Sequence, residues 1–377
     1  MKRLVQIAPH YSPPYVGGME MRARDRADWL ASSGWVVDIL TSSGLTYPHT
    51  VAESRPTGGK LTVRYLRSRE VAHTPIIFSL AAAMAKVPKD SVVHMEAALA
   101  FSPEVAALIC RLRKMPYVVR LALDTEGHTK LRDALLRLYQ RTVLKWVYRG
   151  AALVIVLTPD DIAPLTDKYG VARDRIRVIP NATTLEPAQS HRAAPHDPFR
   201  LLFAGRVAMQ KNLPLLLRAL RRFLDTYGVP VRLDVAGDGD DMPQVRRLIS
   251  ELSLHEHVRL MGFVQGRELE ELYESVDALV LPSRSESFGI VMLEAMTKGV
   301  PVIASNIRCV RTIVADGTSG LLADLDEQSF ASAIHRLVSE DGLYEKLSRG
   351  ALDAAKSYSM AATMDSYVAA YAECQRP

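Results

Sequence analysis

At 377 residues the chain is too long for one ordinary hydrophobic core, and two α/β domains of similar size are expected. Hydrophobic residues make up 48% and charged residues 24%, a balance that excludes disordered and fibrous classes, and the net charge is +5. The three scattered cysteines, Cys110, Cys309 and Cys374, form no CxxC pair and no metal-ligand spacing, which fits a reducing compartment.

Met1 to Ala8 carries two basic residues and an apolar run ended by Pro9, too brief for a signal segment. No apolar stretch reaches membrane-spanning length, so a cytoplasmic protein, soluble or peripherally membrane-associated, is expected. Short apolar, mostly β-branched runs then recur at Leu4–Ala8, Val36–Thr41, Val92–Met95, Tyr117–Leu121, Leu153–Leu157 and Ile176–Ile179, the rhythm of a parallel sheet with crossover helices. Met19, Ala23, Ala27, Leu30 and Ala31 fall at helical spacing before Gly34. Lys130, Arg132, Arg137, Arg141, Lys145 and Arg149, less Asp133, account for the whole positive excess. With Leu131, Leu135, Leu138, Val143 and Val147 they read either as the solvated face of a packed helix or as a face attracted to anionic lipid along 130–149.

From Pro180 to Pro198 the chain turns polar and punctuated, and a second series follows at Leu201–Ala204, Val231–Ala236, Val258–Met261, Ala278–Leu281 and Val302–Ala304. Two domains over 1–185 and 199–357, joined by a linker over 186–198, are expected. A last helix within 358–377, periodic in Met364, Val368 and Tyr371, is open to packing on either domain, including back on the first. Doubly wound sheets bind ligands outside the carboxyl ends of their strands, so chemistry is expected in a cleft there.

The run from Pro282 to Pro301 begins just after a strand. Ser285 or Ser287 is the expected cap of a helix over Ile290–Thr297, ended by Gly299. Its first N–H groups, near Phe288, Gly289 and Ile290, suit a diphosphate without help from a metal. Glu286 and Glu294 would lie about 12 Å apart if the run between them were mostly helical, the reach from a transferred sugar to a ribose. Upstream, Phe203-Ala-Gly205-Arg206-Val-Ala-Met-Gln-Lys211-Asn212 ends a strand at glycine and supplies two cations for a departing diphosphate.

These segments, with Gly237-Asp238-Gly239, Gly17-Gly18, Ile179-Pro-Asn181, Gly262-Phe-Val264 and Asp316 to Gly320, resemble glycosyltransferase family four over nearly the whole chain. The resemblance implies a GT-B fold, two Rossmann-like domains facing each other across a deep cleft, the first binding the acceptor and the second the nucleotide sugar. It implies Arg206, Lys211 and Glu286 in catalysis, with Glu286 toward the transferred sugar and Arg206 and Lys211 on the diphosphate. Gly18, Gly205, Val264, Phe288, Gly289, Ile290 and Glu294 would bind the donor, Glu294 through the ribose hydroxyls. It implies retention of anomeric configuration with no metal and no cofactor, and a UDP-sugar is preferred to a GDP-sugar as donor.

Glu20, Glu96, Asp124, Glu126 and His128 are the candidate acceptor residues; such acidity suits a polyhydroxylated, cationic acceptor such as an aminocyclitol. Ala122 stands where many relatives have a histidine near the reacting sugar, and Ala182 where they have glycine. Asp238-Gly-Asp240 and Asp324-Leu-Asp326 mimic DxD metal motifs in the wrong context, and Gly237-Asp-Gly239 starts a dinucleotide fingerprint that Met242 breaks. The basic segment has few interleaved aromatics, so no nucleic-acid partner is expected. Three functional alternatives stand beside a natural-product transferase: a membrane-surface enzyme building a lipid-linked or cell-surface glycan, a GT-B epimerase, and a non-catalytic nucleotide-sugar-binding protein.

Overall fold

The computed structural model describes residues 2–11, 18–43, 51–54, 58–71, 74–97, 101–121 and 137–375. The chain divides into two compact units, Met1–Asn181 with Ala361–Pro377, and Ala182–Met360.

In the first unit the described strands are β1 (Arg3–Ala8), β2 (Val36–Ser42), β3 (Val51–Ser54), β4 (Lys60–Leu66), β5 (Ser68–Val71), β6 (Thr74–Ile77), β7 (Val92–Ala97), β8 (Tyr117–Leu121), β9 (Leu153–Val156) and β10 (Ile176–Val178). Eight of these form one sheet in the order β10-β9-β8-β7-β1-β2-β4-β3, parallel except where β3 runs against β4; β5 and β6 pair separately. The second sheet is wholly parallel, in the order β13-β12-β11-β14-β15-β16. Its strands are β11 (Phe199–Ala204), β12 (Val231–Ala236), β13 (Val258–Gly262), β14 (Ala278–Leu281), β15 (Val302–Ser305) and β16 (Gly320–Ala323). Strands covered on both faces read as unbroken apolar runs, and in β9 and β14 every residue is buried. β13, at the sheet edge, is only half-buried.

Helices cover both sheets. In Leu213–Tyr227 the residues Leu213, Leu216, Leu217, Leu220 and Phe223 form one buried stripe, packed against Glu327–Ser339. The last helix, Met360–Cys374, buries Met364, Tyr367 and Tyr371, and Tyr371 reaches His94 of β7 at 2.9 Å. Residues 186–198, expected as a linker, lie within the second unit and are bonded to it. Ala188 N donates to the Thr297 carbonyl (2.9 Å), Arg192 Nη2 to the Tyr273 carbonyl (2.6 Å), and His196 N to Asp277 Oδ1 (3.0 Å). Prolines and polar residues there mark an ordered irregular strap, because its backbone groups find partners on the unit it crosses. No helix of the described residues is long and apolar enough to cross a membrane.

Candidate active site

In the second sheet β11 has β12 on one side and β14 on the other, so successive connections leave in opposite directions at the carboxyl ends of β11 and β14. That is the switch point at which doubly wound sheets bind ligands. The loops over 205–212 and 282–289 flank it, and Arg284 N donates to the Gln210 carbonyl at 2.7 Å, joining them. The floor is stitched from backbone: Gly205 N to the Ala236 carbonyl (3.0 Å), Val207 N to Asp238 O (2.9 Å) and Gly237 N to Gly262 O (2.7 Å). A Cβ on Gly237 would stand 1.8 Å from the Gly205 oxygen, and one on Gly239 2.3 Å from that of Val207. These glycines therefore let one loop lie on another.

On this floor Lys211 Nζ donates to Glu286 Oε1 at 2.6 Å, and Ser283 Oγ donates to the same oxygen at 2.7 Å. The Glu286 side chain is only 6% exposed and that of Lys211 20%. Arg206 is exposed and has no hydrogen bond or ion pair among the described residues, so its five donors face outward unspent. Ser283, which sequence reasoning missed, sits where β14 ends; a hydroxyl three residues before an acid is too common a pattern to have signalled it.

The helix Ile290–Thr297 stands as expected, but its cap does not. Gly289 occupies the cap position at φ +79 with no side-chain hydrogen bond, and neither Ser285 nor Ser287 takes that place. The left-handed turn requires glycine, and a Cβ would also strike Met292 Cε at 2.4 Å. The run 286–289 is consequently not helical, so the helical spacing expected between Glu286 and Glu294 applies only from Ile290 on. In the first turn Met292 N donates to the Gly289 carbonyl at 2.9 Å, and the amides of Ile290 and Val291 are the ones an α-helix leaves without a partner of its own. Phe288, expected against the donor, turns its ring inward: it is 3% exposed and meets Tyr358 edge-on at 6.1 Å. Only its backbone is left for the site, and the same holds for buried Val264.

Glu294 Oε2 accepts a hydrogen bond from the buried Tyr273 hydroxyl at 2.9 Å. Burial, reinforced by the Glu294 charge, pushes that phenol well above its usual range, so it stays a donor. Tyr273 was also missed, because its helix Arg267–Ser275 carries no motif. Asp238 Oδ1 accepts from Gly239 N (2.8 Å), and Asp326 caps the helix Glu327–Ser339 through Ser329 N (2.8 Å). Both DxD look-alikes thus have local backbone roles.

In the first unit Glu96 is not a surface acid. It lies on β7 at 2% exposure, paired with Arg26 and with Arg120 Nη1 (3.0 Å), and Arg120 Nη2 donates to Asn181 Oδ1 (2.6 Å). Burial alone would raise its carboxyl, but the two guanidinium groups hold it well below the usual range. Glu96, a candidate acceptor residue, is thus an ionised carboxylate inside the core with a guanidinium group on each oxygen. The neighbouring His94 is lowered to about 4 by burial and by Arg26. Gly18 opens the helix Gly18–Ser32 on the surface with nothing near a would-be Cβ, and Glu20 is half-buried in its first turn. Asp124, Glu126, His128, Ala122 and Gly17 lie outside the described residues.

Among known proteins, the family model described as glycosyl transferases group 1 matches residues 187–353, and that described as a glycosyl transferase 4-like domain matches 17–182. A D-inositol 3-phosphate glycosyltransferase of Catenulispora acidiphila is 29% identical over 94% of this chain and 90% of its own. One from Streptosporangium roseum is 33% identical over 58% of this chain and little more than half, 54%, of its own. Among solved structures, sucrose-phosphate synthase from Thermosynechococcus elongatus superposes with a TM-score of 0.79 at 22% identity, covering 99% of this chain and 98% of that one. The Anabaena protein HepE, solved with UDP, gives 0.74 at 18%, with 98% of each chain covered. With both halves matched and the two doubly wound sheets in place, the chain belongs to glycosyltransferase family four and has the GT-B fold.

Proposed function

We propose that this glycosyltransferase moves a sugar from a nucleotide diphosphate, with UDP preferred to GDP, to a hydroxyl of a small polyhydroxylated acceptor, with retained configuration and without a metal. The observation that carries the reading is the Lys211–Glu286–Ser283 cluster on the loops that also carry Arg206, unpartnered among the described residues, and the Gly289 turn, all at the switch point. Arg206, Lys211 and the first amides of Ile290–Thr297 gather positive charge where a leaving diphosphate would develop negative charge. Glu286, turned by Lys211 and Ser283, suits the hydroxyls of the transferred sugar. Glu294, oriented by Tyr273, suits the ribose.

In the proposed step the bond from the anomeric carbon to the diphosphate oxygen breaks, the acceptor oxygen bonds the same face, and the acceptor proton passes to the departing phosphate. No protein nucleophile enters, so Ala122 is compatible with activity. The preference for UDP is supported by HepE having been solved with UDP. For the acceptor, the relatives named for D-inositol 3-phosphate favour a cyclitol, while Glu96, one of the acids on which a cationic acceptor rested, is buried and paired with two arginines.

Incubation with a panel of UDP- and GDP-sugars and cyclitols, with and without chelator, tests this. Nucleotide release that depends on acceptor and survives chelation is expected, with the product's anomeric proton coupling matching the donor's. Release of free sugar without acceptor would favour an epimerase, no turnover at all a binding protein, and rescue by magnesium would end the metal-free reading.

A membrane-surface acceptor is the second reading, and one observation favours it. Leu138 is 60% exposed beside exposed Arg137 and Arg141, and Leu112 is 72% exposed on the helix Ser102–Leu112. Arg111 of that helix stacks over Trp146, 5.1 Å away. Sedimentation with anionic vesicles, abolished by neutralising Arg137 and Arg141, is the expected result under that reading.

A further inference from the structure

The far end of the second sheet carries a row of cations that sugar transfer does not use. Arg200 of β11 and Arg232 of β12 are register partners, so their side chains leave the same face of adjacent strands. Leu233 pairs with Val258 and donates its amide to the His257 carbonyl at 2.8 Å, so His257 continues the row one strand further. Strands are about 4.8 Å apart, which sets three cationic or protonatable side chains across roughly 10 Å. They line a pocket of about 340 Å³ together with Asp234, Glu256 and Arg259.

The charges in that pocket do not cancel. Arg259 forks onto Asp234 through Nε (2.9 Å) and Nη2 (3.2 Å), which neutralises that carboxylate. Arg200 has one nitrogen on the Ser275 carbonyl at 3.4 Å, while Arg232 has no hydrogen bond or ion pair among the described residues. Of the two acids in the lining, Glu256 is exposed and has no ion pair among the described residues. Guanidinium groups on neighbouring strands repel, and an anion with several oxygens set between them reverses the sign of that interaction. His257 places its Nδ1 on the Val231 carbonyl (3.0 Å), leaving Nε2 outside that bond for a ligand oxygen.

We propose that this pocket is a second anion site, taking a small phosphate-bearing ligand of which inorganic phosphate and pyrophosphate are the simplest members. It is separate from the donor site, because Arg200 and Gly205 stand at opposite ends of β11, with roughly 16 Å of extended strand between them. The inference does not rest on the proposed function.

Calorimetric titration of the full chain with pyrophosphate tests it, comparing wild type with Arg232→Glu, Arg232→Ser and Arg232→Lys. Melting curves without ligand verify folding, and UDP is the control titrant. The expected result is a pyrophosphate site weakened at least about tenfold in Arg232→Glu and Arg232→Ser and largely kept in Arg232→Lys, with UDP binding unchanged in all three. Isotherms for the folded Glu and Ser variants that superpose on wild type would overturn the site. So would an equal weakening of UDP and pyrophosphate, which would assign both to the donor loops.

Discussion

Each unit holds one carboxylate at the same topological address, on or just after the strand that faces the first strand across the switch point, and the two have opposite destinies. Glu96 lies inside β7, 2% exposed, with arginines on both sides and no donor turned outward. Glu286 lies past the end of β14, where the strand has stopped, and one of its oxygens takes both Lys211 and Ser283. The first arrangement ties the helix Gly18–Ser32, β8 and Asn181 together, and Arg26 also reaches Tyr367 at 3.4 Å. The second leaves Lys211 partly exposed, and on the same loop Arg206 is exposed with no hydrogen bond or ion pair among the described residues. A buried, ion-paired carboxylate therefore does not by itself separate structure from chemistry; what separates the two is whether its cationic partners are sealed in the core, as Arg26 and Arg120 are, or reach the surface, as Lys211 does.

The comparison breaks first at Glu96. Glu96→Gln leaves two buried guanidinium groups without a counter-charge and is expected to cost about 3–5 kcal/mol in urea unfolding, with UDP affinity of the folded protein unchanged. A variant as stable as wild type would show that the network is not structural. His94 sharpens the same point through pH. The unfolded chain protonates this histidine near 6.5 and the folded chain only near 4, so its contribution is fully present above pH 6.5 and is lost as pH falls to about 4. Glu96, held low in the folded state, extends the loss below its ordinary range. The His94 share amounts to at most about 3 kcal/mol, and His94→Gln is expected to flatten unfolding free energies measured between pH 6.5 and 4.

On the other side of the comparison, Arg206→Ala removes a cation that holds nothing in place. Turnover is expected to fall about a hundredfold or more while the melting temperature stays put. A loss of stability with little loss of rate would move Arg206 into the same class as Glu96.

The parallel strands were legible because burial on both faces leaves unbroken runs such as Leu153-Val-Ile-Val156 and Ala278-Leu-Val-Leu281. β3 to β6 and β16 were not, being four to seven residues long and, apart from β4, outside the sheet interior. Gly205, Lys211 and Glu286 were found together because strand, glycine and helix follow one another in the chain around each of them. The pairing of Glu96 was not legible because its partners Arg26 and Arg120 come from 70 and 24 residues away, a coincidence that only the sheet creates. The cap at Gly289 was misread for a local reason: serine offers an oxygen, but the turn there needs a positive φ.

Tyr273 offers the finest test, because its hydroxyl touches Glu294 and is buried away from any reacting atom. Tyr273→Phe keeps the ring in its place and deletes one hydrogen bond. A bond of this kind contributes about 1 kcal/mol, so KM for the nucleotide sugar is expected to rise about fivefold with kcat unchanged. Were kcat to fall instead with KM constant, Glu294 would belong to the reacting end of the donor, and its separation from Glu286 by function would be lost.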